Sequence, residues 1–393
     1  MNTWHAAALV AIFSVSAASA ALAAEGRDDL DAGARLEVAE SHVTLNLTPT
    51  HARRLFILDT AFPAAQAAKT WIVDGPTGRI ESSFSQAYWP NFAVSPDGSE
   101  LYAVDSYWEK HTRGKRQDFL VVRDARSLDI LAEIALPNGR LLVVTKKHNF
   151  AVTPDGRYAL SYNLAPRTSV SVVDLKERRY LGDIDIAGCG LVFAHGDRRF
   201  STLCADGSVA TVAFDEKLQA DMQRTANVFD AQEDPAFEHS GWDRRRQKLY
   251  LLTYSGTVVP VDLSGTAARS LEPWPLTSRQ EKAAGWLPGG WQVSAFHGPS
   301  QRLYVLMHKS HEWTHKDAGT EVWVFDAVAG KRVQRIKLKE KAHSVAVSQD
   351  AQPLVYVIAE NTDILALDAA TGKPVSRLDK LGMSPQILTV ADE

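Results

Sequence analysis

The chain of 393 residues carries 43 Lys and Arg against 47 Asp and Glu, a formal net charge of −4, and two cysteines. There is no basic excess of the kind that tracks phosphate backbones, which argues against a nucleic-acid partner. Two cysteines lack the further ligands that a closed zinc site needs. Ten Trp and ten Tyr point instead to extensive aromatic packing, in a core or at an interface.

Residues 1–24 contain no Asp, Glu, Lys or Arg, and residues 6–23 are an apolar run ending in Ala21-Leu22-Ala23. An apolar stretch followed by a small-x-small site is the pattern of a secretory signal peptide. A spanning anchor is the alternative. The run is rich in Ala and Ser, however, and an acidic, polar segment follows it at 25–31, where a span would need about 20 strongly apolar residues. The n-region departs from the pattern in having neither Lys nor Arg. The expectation is a signal peptide over 1–23, cleaved near Ala23, and a single exported domain over 24–393.

The remainder repeats itself. Asn91-Phe92-Ala93-Val94-Ser95-Pro96-Asp97-Gly98 recurs as Asn149-Phe150-Ala151-Val152-Thr153-Pro154-Asp155-Gly156, with a weaker copy at 344–350. Each is a short alternating strand running into a turn where Pro presets φ and Gly accepts a positive φ. A second strand follows (100–104, 157–162, 353–359), then a third ending in Asp124, Asp174 or Asp368. Looser copies lie at 54–59 with 70–74, at 191–214, at 248–254 with 257–262, and at 292–307 with 321–326. Seven units spaced by about 40–58 residues predict an all-β fold, a seven-bladed β-propeller with four-stranded antiparallel blades. A pair of sandwiches is the alternative, but it would not place the same turn in register. One helix is predicted within 277–286, with Thr277 as N-cap and Gln280 at the third position of a capping box.

Cys189 and Cys204 sit in short apolar, strand-like runs of an exported chain, which reads as one structural disulfide. Such a bridge closes a loop of about 15 residues, worth roughly 3 kcal/mol on the chain-entropy view. Two buried free thiols are the other reading.

The candidate chemical groups weigh toward structure. His308, His311 and His315 would share a face on a helix, but strand-like segments flank them, so solvated or interface histidines outweigh a metal site. Asp124, Asp174, Asp262, Asp326 and Asp368 recur once per unit before a turn, as turn-capping residues do; a catalytic pair would be local and unequal. No Gly-x-Ser-x-Gly elbow, P-loop or dinucleotide glycine fingerprint is present. The basic clusters 113–116 and 244–246 read as solvated turns. Phe62, Trp286, Trp291 and Trp313 read on their own as packing or interface aromatics.

Several segments resemble the large, β-propeller subunit of quinoprotein amine dehydrogenases, the methylamine dehydrogenase branch above all. These are the basic stretch 113–118, the Cys189–Cys204 pair ending in Cys-Ala-Asp-Gly-Ser, Gly285-Trp286-Leu287-Pro288-Gly289-Gly290-Trp291-Gln292, His311-Glu312-Trp313-Thr314-His315-Lys316, and the tail 381–392. The likeness spans essentially the whole mature chain. It implies a periplasmic heterotetramer of two large and two small subunits, in which the small one carries tryptophan tryptophylquinone made from its own tryptophans. The complex would oxidise a primary amine to an aldehyde and ammonia and pass the electrons to a copper protein of the amicyanin or azurin type. The large subunit would be scaffold, docking surface and part of the substrate channel. It would have no catalytic residue, metal or cofactor of its own, and would carry an intrablade disulfide between Cys189 and Cys204. A phenylalanine after the first Asp-terminated strand lines that channel in the family, and Phe62 in Leu58-Asp59-Thr60-Ala61-Phe62 is the matching position. A free-standing propeller enzyme of lactonase type, or a propeller binding module, is the alternative function.

Overall fold

The computed structural model describes residues 46–391, apart from 63, 141 and 143. The signal peptide expected over 1–23 lies outside the described residues. Apart from two short 3-10 turns and one five-residue α-helix, the described elements are antiparallel strands.

These strands form six sheets, four of four strands. A fifth sheet splits its outer strand into Arg269–Ser270 and Trp274–Pro275, which both pair with Thr257–Asp262. The last contains eight strands and is held together by Lys331–Val347. The first half of this 17-residue strand pairs with Gly319–Asp326 and its second half with Leu354–Ala359. Its burial changes accordingly, from an exposed edge at residues 331–335 to a buried run at 344–347.

Within each sheet, inner strands are dry and outer strands wet. Ser169–Asp174 is buried along its whole length, whereas the neighbouring Arg179–Asp185 is mostly half-exposed. Alternating side chains of the inner strands are apolar on both faces because a sheet packs on either side. The core is therefore a series of layers between successive sheets. Phe56, Ile72 and Phe84 meet Phe92, Leu101 and Val121; Tyr102, Val104 and Leu120 meet Phe150, Ala159 and Val173. Tyr356 and Ile358 meet Leu55, Ile57 and Leu388, so the last layer returns to the first. Rings such as Phe56 and Phe92, 5.1 Å apart, add aromatic contact to this burial.

The circle closes through sheet pairing. The C-terminal strand Pro385–Val390 is the edge partner of Arg54–Asp59, with Ile57 opposite Leu388. Gln292 reinforces the closure: its side-chain oxygen accepts from Leu388 N–H at 2.8 Å, and its amide donates to Leu388 O at 3.0 Å. This is an all-β propeller of four-stranded antiparallel blades.

The repeated aspartates do what their spacing implied. Asp124 accepts from the backbone N–H of Arg126 and Ser127, Asp326 from Val328 and Ala329, Asp174 from Glu177, Asp262 from Ser264, and Asp368 from Thr371. A bulge recurs just before four of them, Asp124, Asp174, Asp326 and Asp368: between Val122 and Arg123, Val172 and Val173, Val324 and Phe325, and Ala366 and Leu367. Each bulge bends the third strand and sharpens its twist.

Two expectations need correction. The helix is Arg279–Ala283, and its N-cap is Ser278, not Thr277. Ser278 Oγ accepts from Glu281 N–H, and Glu281 accepts in return from Ser278 N–H at 2.9 Å. The capping partner is thus Glu281 rather than Gln280, because a carboxylate both closes the box and pairs with Arg332 at 2.7 Å. The basic stretch 113–118 opens the strand Arg113–Asp124, and the turn itself lies at 111–112.

Candidate functional site

Every link from one sheet to the next, and every connection between a sheet's second and third strands, emerges on one face of the propeller. That face carries Phe62, the disulfide, the histidine loop 310–318 and an aromatic cluster.

Phe62 follows Arg54–Asp59 and is 60% exposed. Its loop is framed by the buried carboxylate of Asp59. Oδ1 accepts from Ala61 N–H at 2.9 Å and from Ser384 N–H at 2.8 Å, and Oδ2 accepts from Met383 N–H at 2.9 Å. Ala61 takes φ +51°, a conformation that L-residues adopt only at a cost of roughly 1–3 kcal/mol, repaid by the surrounding bonds.

The Phe62 ring stacks on Trp89, centroids 6.2 Å apart and planes 25° from parallel. Tyr88 meets both Trp89 and Trp108 edge-on at 5.3 Å, and Arg116 lies over Trp108 at 5.7 Å. Trp89 also has a positive φ, +45°. Its carbonyl oxygen accepts from the buried Arg140 guanidinium at 2.7 Å. Arg140 in turn donates its backbone N–H to Asp118 Oδ2 at 2.9 Å, and Asp118 accepts from Arg116. Burial pulls Arg140 down to about 10, against the pull of Asp118 and Asp105. Asp105 is pushed up to about 6 by burial, although Ala87 N–H and Arg140 favour its charge.

A second cluster sits where the sheet links reach the central channel. Glu238 bridges Lys146 at 2.5 Å and Lys316 at 2.7 Å, and both ammonium groups lie over the Trp291 ring, at 4.1 and 5.0 Å. Burial would raise the Glu238 carboxyl, but the two lysines overcome it and hold it well below the usual carboxylate range. Burial lowers Lys146 in spite of Glu238. Beneath them His239 donates from Nδ1 to Trp291 O at 2.8 Å and accepts at Nε2 from Lys147 N–H at 3.0 Å. One proton suffices for both bonds, and burial drives the ring's pKa down to about 3. The channel below encloses a cavity of about 120 Å³, lined among others by His148, His239 and Gln292.

The three histidines singled out from the sequence part company. His308 lies within the strand Arg302–Lys309 and shares a 3.0 Å hydrogen bond with Thr314 Oγ1, while His315 stacks on Tyr254 at 3.8 Å. Among the described residues no group of three or more His, Cys, Asp or Glu side chains could hold a metal ion. Trp286 packs on Trp323 in the core, Trp291 carries the two lysines, and Trp313 is 66% exposed. Cys189 and Cys204 are bonded, opposite each other on neighbouring strands. Sequence reasoning passed over Trp89, Arg140 and Glu238; a Tyr-Trp-Pro stretch opening a blade was the available sign of the first.

The fold defines a class, the β-propellers, on which many unrelated functions are built, and sequence comparison makes the class specific. A methylamine dehydrogenase heavy chain family model matches residues 51–392. The methylamine dehydrogenase heavy chain of Paracoccus versutus is 35% identical over 90% of this chain and 83% of its own length. That of Methylorubrum extorquens is 32% identical over 99% and 96%. A functionally unknown protein from Desulfotomaculum acetoxidans has a TM-score of 0.60 at 10% identity, covering 86% of this chain and 99% of its own; this supports the fold alone. The chain belongs to the methylamine dehydrogenase heavy chain family.

Proposed function

We propose that this chain is the large subunit of a periplasmic amine dehydrogenase, a two-large, two-small heterotetramer. The complex converts a primary amine, methylamine in the first instance, to aldehyde and ammonia and passes two electrons to a copper protein. Tryptophan tryptophylquinone in the small subunit supplies the two-electron chemistry. The observation that carries the reading is the family match over 342 residues, joined to an exposed aromatic wall at the position the resemblance singles out. An apolar wall at Phe62 and Trp89 fits an aromatic quinone and a short alkylamine alike, since it excludes water without offering a competing nucleophile.

In this reading the chain binds, orients and shields. Asp59 fixes the Phe62 loop to the C-terminal tail, and the ring narrows the path by which the amine reaches the quinone. Export through the leader at 1–23 places the complex where its disulfide persists. We also infer seven blades: the eight-stranded sheet divides between Lys337 and Ala342 into two four-stranded units, which together with the other five sheets matches the seven sequence repeats.

Tagged chain purified from its native host tests the reading. It should bring down a small, cysteine-rich partner with quinone absorbance and amine-dependent dye reduction, while the isolated chain has neither. A monomer without such a partner would overturn the proposal.

A further inference from the structure

Resting on that reading, we propose that Trp89 is a positioning residue for amine selectivity. It is the second half of an aromatic gate whose first half is Phe62. Phe62 lies mostly in solvent, and among the described residues the Trp89 ring is the aromatic surface on which it rests. A side chain so exposed has many rotamers open to it, and a stacked neighbour restricts them. The width of the path past Phe62 is then set by where Trp89 stands.

The position of Trp89 is itself determined from behind. Its positive φ turns the ring toward Phe62, a backbone state that a bulky L-residue holds only when its surroundings enforce it. The enforcing group is Arg140, fully buried and 51 residues away, which donates to the Trp89 carbonyl at 2.7 Å and also to the Asn91 side chain. Pro90 favours an extended backbone with negative φ at the residue before it, so the positive φ of Trp89 is held against that preference. On the other flank Tyr88 is wedged edge-on between Trp89 and Trp108. Both gate rings therefore sit beside residues of positive φ, Ala61 before Phe62 and Trp89 itself. Each is tied to a buried charge, Asp59 or Arg140. Paired strain and buried anchoring around one exposed ring contact mark a geometry maintained for ligand rather than for core packing.

Selectivity between amines measures this. In the assembled holoenzyme with full quinone absorbance, kcat and KM are compared for methylamine and n-butylamine. Trp89→Ala should raise KM for methylamine with kcat little changed, and shift the kcat/KM ratio toward n-butylamine by roughly tenfold or more, as a few methylenes in a pocket discriminate. Trp89→Phe should restore the wild-type ratio to within about threefold, and Arg140→Lys should shift it in the direction of Trp89→Ala without removing a ring. If Trp89→Ala does not assemble, Trp89→Leu against Trp89→Phe decides, with the shift expected in the first only. A ratio unchanged by loss of the ring in intact tetramers overturns the gate and leaves the subunit assignment standing. A wild-type complex without amine oxidation overturns both.

Discussion

Asp59 Oδ1 accepts the backbone N–H of Ser384 at 2.8 Å, across 325 residues of sequence. One carboxylate thereby joins the loop that presents Phe62 to the C-terminal tail that closes the propeller. Gly382, at φ +64°, stands against Asp59 Oδ2, where a Cβ would collide with the carboxylate oxygen.

Asp59→Ala should therefore leave three backbone N–H groups without their acceptor, at a cost of about 1–3 kcal/mol for each that water does not reach. Hydrogen exchange at Ala61, Met383 and Ser384 should accelerate, and the melting temperature should fall. Gly382→Ala should do the same through collision and φ strain together. Protection unchanged in both variants would show that Asp59 does not hold the loop.

Acid sensitivity should begin well above the carboxylate range. His239 is pulled to about 3, His195 and His343 to about 4, and His148 well below its ordinary value, all chiefly by burial. Groups depressed on folding contribute stability that is present above their unfolded pKa of about 6.5 and is lost as pH falls toward the folded values. Thermal unfolding followed from pH 7.5 to 4.5 should show a falling melting temperature, less steep in His239→Asn. Asp105 acts in the opposite sense. Its carboxyl, raised to about 6, contributes stability that is present below the unfolded value of about 3.8 and is lost as pH rises through 6. Asp105→Asn should therefore steepen the acid loss between pH 6 and 4. A flat profile over that range in the wild type would refute the assignment of neutral buried histidines.

The disulfide should be silent to thiol reagents and needed for stability. Native, unreduced protein should show no alkylatable cysteine, and Cys189→Ser with Cys204→Ser should lower stability by roughly 3 kcal/mol for a loop of this size. Two titratable thiols in the native protein would contradict the bridge.

The parts legible in the sequence are those set by local rules. Period-two alternation placed the strands, Pro-Asp-Gly turns placed the hairpins, and the Asp residues before each turn declared themselves by position. The helix was found but displaced by one residue, since Thr277 and Ser278 are equally good caps by type. Glu281 decided between them, through Arg332 of a strand some fifty residues away. The bulges before Asp124, Asp174, Asp326 and Asp368 left no trace in composition, because they depend on register against the neighbouring strand.

Of the candidate site, Phe62 was legible only through family resemblance, Trp89 left only the sign of a Tyr-Trp-Pro stretch, and Arg140 and Glu238 left none. Their meaning lies in contacts between segments far apart in the chain: Arg140 with Trp89, Glu238 with Lys146 and Lys316, Asp59 with Ser384. The sequence by itself determined a repeated all-β architecture, the family, and a cysteine pair in adjacent strand-like runs, because each rests on patterns within one or two blades. Only the tertiary structure decided which aromatic faces which, and which buried charge holds a loop. Those pairings follow from closing the ring of blades, which brings the first strand against the last and gathers the blade links on one face.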